Sequence, residues 1–357
     1  MDEALNEGTS KTTEGYLKYT RRKIVFLAGT AVMLLVLSIF TIRLGATGLS
    51  YGQIITYLFH PDDSWNSTVV WDIRMPRIAA ALLAGAALGI AGAVMQGILR
   101  NPLASPFTLG ISNAAAFGAA VGILVLQGTI ITDIVSIDNP FAVTMFAFVF
   151  AMVATGVMLL LVKLTECTPE TIILAGLAIS SIFSAALAFL QYMANDVELA
   201  AIIYWQFGSL SKVTWDNLYI LAAVLVLAFA YFFLKRWDYN AMEAGEDVAK
   251  GLGVKIESTR ILGLTMSAVL TAVVVSFLGI IGFIGLIGPH IVKRLIGNDS
   301  RFVLIGSMLI GAAVLLLAYI IGSYAFDVVI PVGIITSAIG GPLFIMILIK
   351  GRVRKRC

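Results

Sequence analysis

Long apolar runs separated by short polar breaks dominate this chain, each close to the roughly 20 residues that a helix needs to cross a hydrocarbon core. They predict helices at residues 24–44, 78–99, 106–126, 141–163, 170–193, 217–235, 259–278, 279–297, 303–322 and 331–349. None has the two-residue alternation of a barrel strand, so the expected fold is all-α: a polytopic membrane protein with ten transmembrane helices. The seventh and eighth runs are nearly continuous, broken only by Gly279, Gly282, Gly285, Gly288 and Pro289, which reads as a hairpin with a very short turn. Residues 1–23 mix acids, Ser, Thr and bases and are expected to form a disordered tail. The run after them is too long for a signal peptide and reads as an uncleaved first helix. The ten-helix domain then covers 24–349, with a large polar loop at 237–259 and a basic tail at 350–357.

Composition supports this division. Of 357 residues, 59% are hydrophobic and 13% charged, and the mean hydropathy of +0.96 excludes the soluble class. The net charge of +3 says less than its distribution. With a cytoplasmic N-terminus, twenty of the 24 Lys and Arg residues fall on the inner side, leaving Arg43, Arg74, Arg77 and Lys212 outside. The expected placement is therefore multi-pass in the cytoplasmic membrane, with both termini inside. The span interiors carry almost no charge, which argues against an ion-coupled secondary transporter or a redox pump. Cys167 and Cys357 both fall on the inner side, where disulfides are rare, and are given no chemistry.

Five stretches could carry function. Gly85, Gly89 and Gly92 share one face of the second span, two of them at GxxxG spacing, and permit close helix packing or the lining of a pathway. Arg74 and Arg77 flank Pro76 at an outer helix start, as interfacial anchors or as a dock for acidic groups on a partner. The turn from Arg100 to Pro106 has two prolines, and Asn101 with Leu103 could close a constriction. Residues Gly245, Glu246, Ala249, Leu252 and Gly253 lie in a short helix-prone segment bounded by glycines, which suits a solvated loop or a helix fitted to a cytoplasmic partner. His290 stands before Lys293 and Arg294 without a second ligand at metal spacing, so no metal site is expected. No phosphate loop of the form GxxxxGK[ST] occurs, so any ATP hydrolysis belongs to another chain. The chain is not expected to be an enzyme.

Four pieces then resemble a known family: Arg74 to Ser112 (RMPRIAAALLAGAALGIAGAVMQGILRNPLASPFTLGIS), GEDVAKGLGV, GFIGLIGPHIVKRLIG and PVGIITSAIGGPLFIMIL. In this order they are similar to the FecCD-type permease subunits of prokaryotic ABC importers for iron-siderophores, haem and vitamin B12. The resemblance implies a ten-span subunit of type II ABC importer architecture that dimerises around a central pathway. Two ATPase subunits would bind below and a substrate-binding protein would dock above; neither a resident cofactor nor a nucleic-acid partner is implied. By the same resemblance, Arg74 and Arg77 dock the binding protein, and Asn101 and Leu103 belong to an inner gate. Pro169 and Glu170 stand at a second gate position, where the family favours small hydroxyl residues. The segment from Gly245 to Gly253 matches the family's coupling helices.

Two departures stand out. The run Ala318 to Ser323 lacks the family's ADxxAR pattern, and Val329-Ile330-Pro331 replaces Glu-Leu-Pro. A docking arginine is thus missing, which leaves the binding protein resting more on Arg74 and Arg77 or on a non-identical partner permease; the second permease subunit is expected to make a homo- or a heterodimer, and this loss favours the heterodimer. The implied cargo is an iron(III)-siderophore, with haem or a corrinoid as the alternatives.

Overall fold

A computed structural model describes residues 2–45, 48–128, 140–164 and 168–353. Cys167, Cys357 and residues 354–357 of the basic tail lie outside the described residues.

All regular structure among the described residues is helical. Ten apolar helices correspond to the ten expected runs: α1 (Asp2–Arg43), α4 (Met75–Ile98), α5 (Ile111–Gly128), α6 (Pro140–Leu164), α7 (Pro169–Met193), α9 (Trp215–Leu234), α12 (Ile256–Leu278), α13 (Ile284–Ile296), α14 (Ser300–Tyr324) and α15 (Val332–Val353). Among the described residues, seven segments are long and apolar enough to cross a membrane. Between them sit α2 (Tyr51–Phe59), α3 (Trp65–Thr68), α8 (Asp196–Gln206), α10 (Arg236–Ala244) and α11 (Glu246–Gly251).

Three elements differ from expectation. Helix α1 continues back to Asp2, where a disordered tail was expected over residues 1–23. The stretch contains no proline, and extending an existing helix costs far less than nucleating one. The third run begins as a 3₁₀ turn, Phe107–Leu109, before α5 starts at Ile111. The eighth run yields only the 13 residues of α13, about 20 Å against the roughly 30 Å of a hydrocarbon core. Gly279 to Phe283 descend as irregular backbone, and α13 starts deep in the bundle against Gly92, about 9 Å from the Ile98 end of α4. Non-helical backbone at such depth is tolerated because it is enclosed by protein.

Helix α4 is the hub, with buried positions nearly all round it from Ile78 to Ile98. Helices α14, α12, α13 and α9 pack about it. The tightest seam is glycine against glycine: a Cβ at Gly89 would overlap the Ser307 carbonyl, and one at Gly92 would overlap Gly285. Without Cβ atoms the helix backbones touch, and that contact supplies dispersion energy in a solvent where apolar burial alone gives none. Gly85, Gly89 and Gly92 therefore pack; they do not line an opening.

Candidate functional site

The sequence-named residues fall at the two ends of α4. At its start, a π-helical turn, Val69–Arg74, leads from α3 into α4. Trp71 Nε1 donates to the Tyr57 carbonyl at 2.9 Å, and Trp215 Nε1 donates to the Trp71 carbonyl at 3.0 Å. These two indoles fasten α2 and α9 to the turn, a role that the sequence reading missed. Arg74 is only 5% exposed. Its Nη1 donates to the Ile42 carbonyl at 2.7 Å and lies 3.4 Å from that of Arg43. These are end-of-helix carbonyls of α1, which lack partners within their own helix and carry the negative end of its dipole. Arg74 thus clasps α1 to α4, whereas Arg77 is half-buried and retains an accessible surface. The expected docking pair is split by the fold.

At the other end, α4 closes at Leu99, and Arg100 takes a left-handed φ of 46° that turns the chain sharply. Asn101 Oδ1 accepts the Leu103 N–H at 2.9 Å, an Asx turn that leaves Leu103 40% exposed. The carboxamide oxygen is thereby committed to shaping the turn, and Leu103 is its projecting apolar group. Ser105 and Thr108 then cap one another: Thr108 N donates to Ser105 Oγ and Ser105 N to Thr108 Oγ1, at 3.3 and 3.0 Å. The rising segment rests on α7, where Gly176 admits Leu109, and Asn113 Nδ2 donates to Ser180 Oγ at 2.6 Å.

Thr168 caps α7, accepting the Thr171 N–H at 3.2 Å, with Pro169 in the first turn and Glu170 beside it. Across from them lies α11. It is flanked by Gly245 and Gly253, both at positive φ that a side chain would strain. Ala249 points inward and is fully buried, while Val248 and Leu252 are exposed as a small apolar tip. Glu246 Oε1 accepts from Arg260 Nη2 at 2.6 Å, tying α11 to the first turns of α12. That bond, helped by the nearby charges of Arg260, Lys250 and Arg100, holds the Glu246 carboxyl below the ordinary carboxylate range.

Leu99, Arg100, Thr168, Pro169, Glu170 and Glu246 line one open cleft of about 400 Å³. The three groups that looked separate in sequence, the polar turn, the start of α7 and the glycine-bounded helix, therefore meet at one place. A neighbouring ionic cluster braces the same face. Asp299 takes both Nε and Nη2 of Arg301 and also accepts from Asn240, while Lys293 reaches Glu243 at 3.4 Å. Buried Lys23 of α1 lies 3.8 Å from Asp299. Among the described residues no three His, Cys, Asp or Glu side chains converge as metal ligands.

Known proteins resemble this chain along nearly its whole length. A proposed ABC transporter permease protein of Methanocaldococcus jannaschii is 47% identical over 94% of this chain and 97% of its own. The Fe(3+)-citrate import system permease protein of Bacillus subtilis is 34% identical over 94% of this chain and 98% of its own. A solved inward-facing conformation of a proposed metal-chelate type ABC transporter superposes with a TM-score of 0.79 at 30% identity, covering 91% of this chain and 99% of that one. The FecCD transport family matches residues 33–350, and the chain belongs to that family, as a membrane-integral permease of the ABC-importer type.

Proposed function

We propose that this chain is the permease subunit of an ATP-driven importer that moves an iron(III)-siderophore inward across the cytoplasmic membrane by alternating access. The observation that carries this reading is the shared cleft. A turn that can gate a pathway, the start of α7 and a short helix with an exposed apolar tip stand together, as force transmission from a separate motor requires. In this reading the Arg74 end faces outward, and the binding protein docks there chiefly through Arg77. The Arg100 end faces the cytoplasm, and two ATPase subunits receive the Val248 and Leu252 tip of α11. Asn101 and Leu103 form the inner gate, with Pro169 and Glu170 at its flank.

The binding protein delivers cargo, ATP binding closes the motor pair and displaces α11, and the permease passes from one access state to the other. No bond is made or broken in this subunit. A chelate as cargo fits the iron-citrate importer among its relatives, and a second, non-identical permease completes the pathway.

The test is uptake into proteoliposomes holding the permease, its partner permease, the ATPase pair and the binding protein. A ferric hydroxamate, a ferric catecholate, haemin and cyanocobalamin are supplied in turn. ATP-dependent accumulation of a ferric siderophore is expected. Accumulation of haemin or cyanocobalamin alone replaces the cargo assignment, a complex active with this permease alone removes the heterodimer, and accumulation of none refutes the function.

A further inference from the structure

Where α9 gives way to α10, two arginines lie against one exposed indole. Trp237 stands in the first turn of α10 and is 54% exposed. Arg236 and Arg301 approach its ring to 5.8 and 4.9 Å, both within cation–π reach. They come from different parts of the chain, since Arg236 follows α9 and Arg301 opens α14. Arg236 is also held by Phe233, whose ring lies 4.3 Å from the guanidinium and whose carbonyl accepts Nη1 at 2.6 Å. These contacts fix the guanidinium without neutralising it. Among the described residues no carboxylate pairs with Arg236.

Positive charge is in surplus around this ring. Asp299 is shared between Arg301 at 2.7 Å and the buried Lys23 of α1 at 3.8 Å, while Asp238 pairs with Lys235 at 2.8 Å. Four cations thus face two carboxylates, and the neighbouring Lys293–Glu243 pair adds no net charge. Apolar surface begins within a turn of the surplus. Leu234 at the end of α9 is 75% exposed, and Ile24 and Val25, next to Lys23 on α1, are exposed as well. Because α1 and α9 are both apolar enough to cross a membrane, the charges stand at the boundary between hydrocarbon and water. A soluble anion would meet the cations alone, whereas a phospholipid meets the cations with its phosphate and the exposed Leu234 and Ile24 with its chains.

We propose that Arg236, Trp237 and Arg301 form a binding site for the headgroup of an anionic phospholipid. Arg236 offers the N–H groups of its fork to the phosphate. Trp237 takes the interfacial position that suits an indole, with its ring toward the acyl chains and its N–H toward water. Arg301, whose Nε and Nη2 are committed to Asp299, contributes attraction rather than direct bonds. In the orientation proposed above the lipid belongs to the cytoplasmic leaflet, and its binding is independent of the cargo.

The experiment places the full-length permease in phosphatidylcholine nanodiscs containing a minor fraction of phosphatidylglycerol. Native mass spectrometry then counts the lipids that stay bound. Wild type should retain phosphatidylglycerol in preference to phosphatidylcholine. Arg236→Gln should weaken that retention about fivefold, the worth of one cation at a charged membrane surface. Lys163→Gln, which removes an exposed cation from the last turn of α6, should stay within about twofold of wild type. Tryptophan quenching by lipids brominated high in the acyl chain gives a second reading, and the difference between wild type and Trp237→Phe isolates Trp237. Brominated phosphatidylglycerol should quench this component more than brominated phosphatidylcholine at the same fraction. The proposal is overturned by equal retention of the two lipids, by equal losses in Arg236→Gln and Lys163→Gln, or by equal quenching. It is also overturned if bound ATPase subunits abolish the quenching, which would assign the patch to a protein contact, or if inorganic phosphate displaces the lipid where sodium chloride of equal ionic strength does not. If Arg236→Gln fails to fold, the quenching of Trp237 decides. Each readout is binding, so a failure of ATP-dependent uptake refutes the proposed function and leaves this site standing.

Discussion

Replacing Arg74 and Arg77 separately by alanine should split two effects that their spacing in the sequence would lead one to merge. Arg74 is buried, and its Nη1 makes one full bond to the Ile42 carbonyl at 2.7 Å and a weaker approach to Arg43. A hydrogen bond from a charged donor is worth about 1.5–3 kcal/mol, and the carbonyl left behind in Arg74→Ala would be unpaired at a helix end. The expected loss is about 2 kcal/mol, a factor of about 30 in the equilibrium between clasped and released α1. Arg77 is half-buried, and a surface change of this kind costs within about 0.5 kcal/mol. Thermal unfolding in detergent, followed by tryptophan fluorescence, reads the first effect. Surface-immobilised binding protein reads the second, where Arg77→Ala should slow association and weaken docking by about tenfold. The reasoning fails if Arg74→Ala unfolds like wild type, or if the two variants weaken docking equally while leaving stability alone.

Three further outcomes follow from the geometry. Gly89→Val would drive a branched side chain into the Ser307 carbonyl, and overpacking of this kind costs about 1–3 kcal/mol or more, so folded yield from the membrane should fall sharply while Gly156→Val, in open space, should not lower it. Leu252→Asp, on the 69% exposed tip of α11, should release the ATPase on gel filtration without lowering the stability of the permease. The Glu246 carboxyl has a folded pKa below its unfolded value of about 4.3, so its pairing contributes stability above that pH and loses it as pH falls through the lower folded value. Proteolysis of the α10–α11 loop should accordingly accelerate below about pH 4 in wild type, and Glu246→Gln should be cleaved faster at neutral pH with a flatter acid response.

Much of the architecture is legible in the order of apolar runs, because length and hydropathy decide where a helix must lie when the solvent is hydrocarbon. The runs 78–99 and 303–322 became α4 and α14 to within a few residues, and the glycines on α4 pointed correctly to close packing. The short α13 was less legible. Its run is apolar throughout, so hydropathy cannot tell a crossing from a half-crossing, although Gly279 and Gly282 marked the irregular descent. Helix α8 falls between the expected spans, and the reciprocal capping box of Asn195 and Glu198 is its signal in the sequence. Arg74 is the clearest failure of pattern reasoning. Its spacing from Arg77 says that both start a helix, while its burial depends on carbonyls at Ile42 and Arg43 that only the fold brings near. The short helix α11 was legible from its bounding glycines, but Arg260, the partner of Glu246, lies 14 residues on, across the turn at Gly253, at no regular helical spacing.

The energy source tests the account most directly. Proteoliposomes containing the whole complex, loaded binding protein outside and ATP inside, should accumulate ferric siderophore in proportion to ATP hydrolysed, and should continue when an ionophore collapses the proton gradient. Accumulation that ignores ATP and follows the proton gradient would contradict the assignment of this smooth-walled, charge-poor bundle as the passive half of an ATP-driven machine.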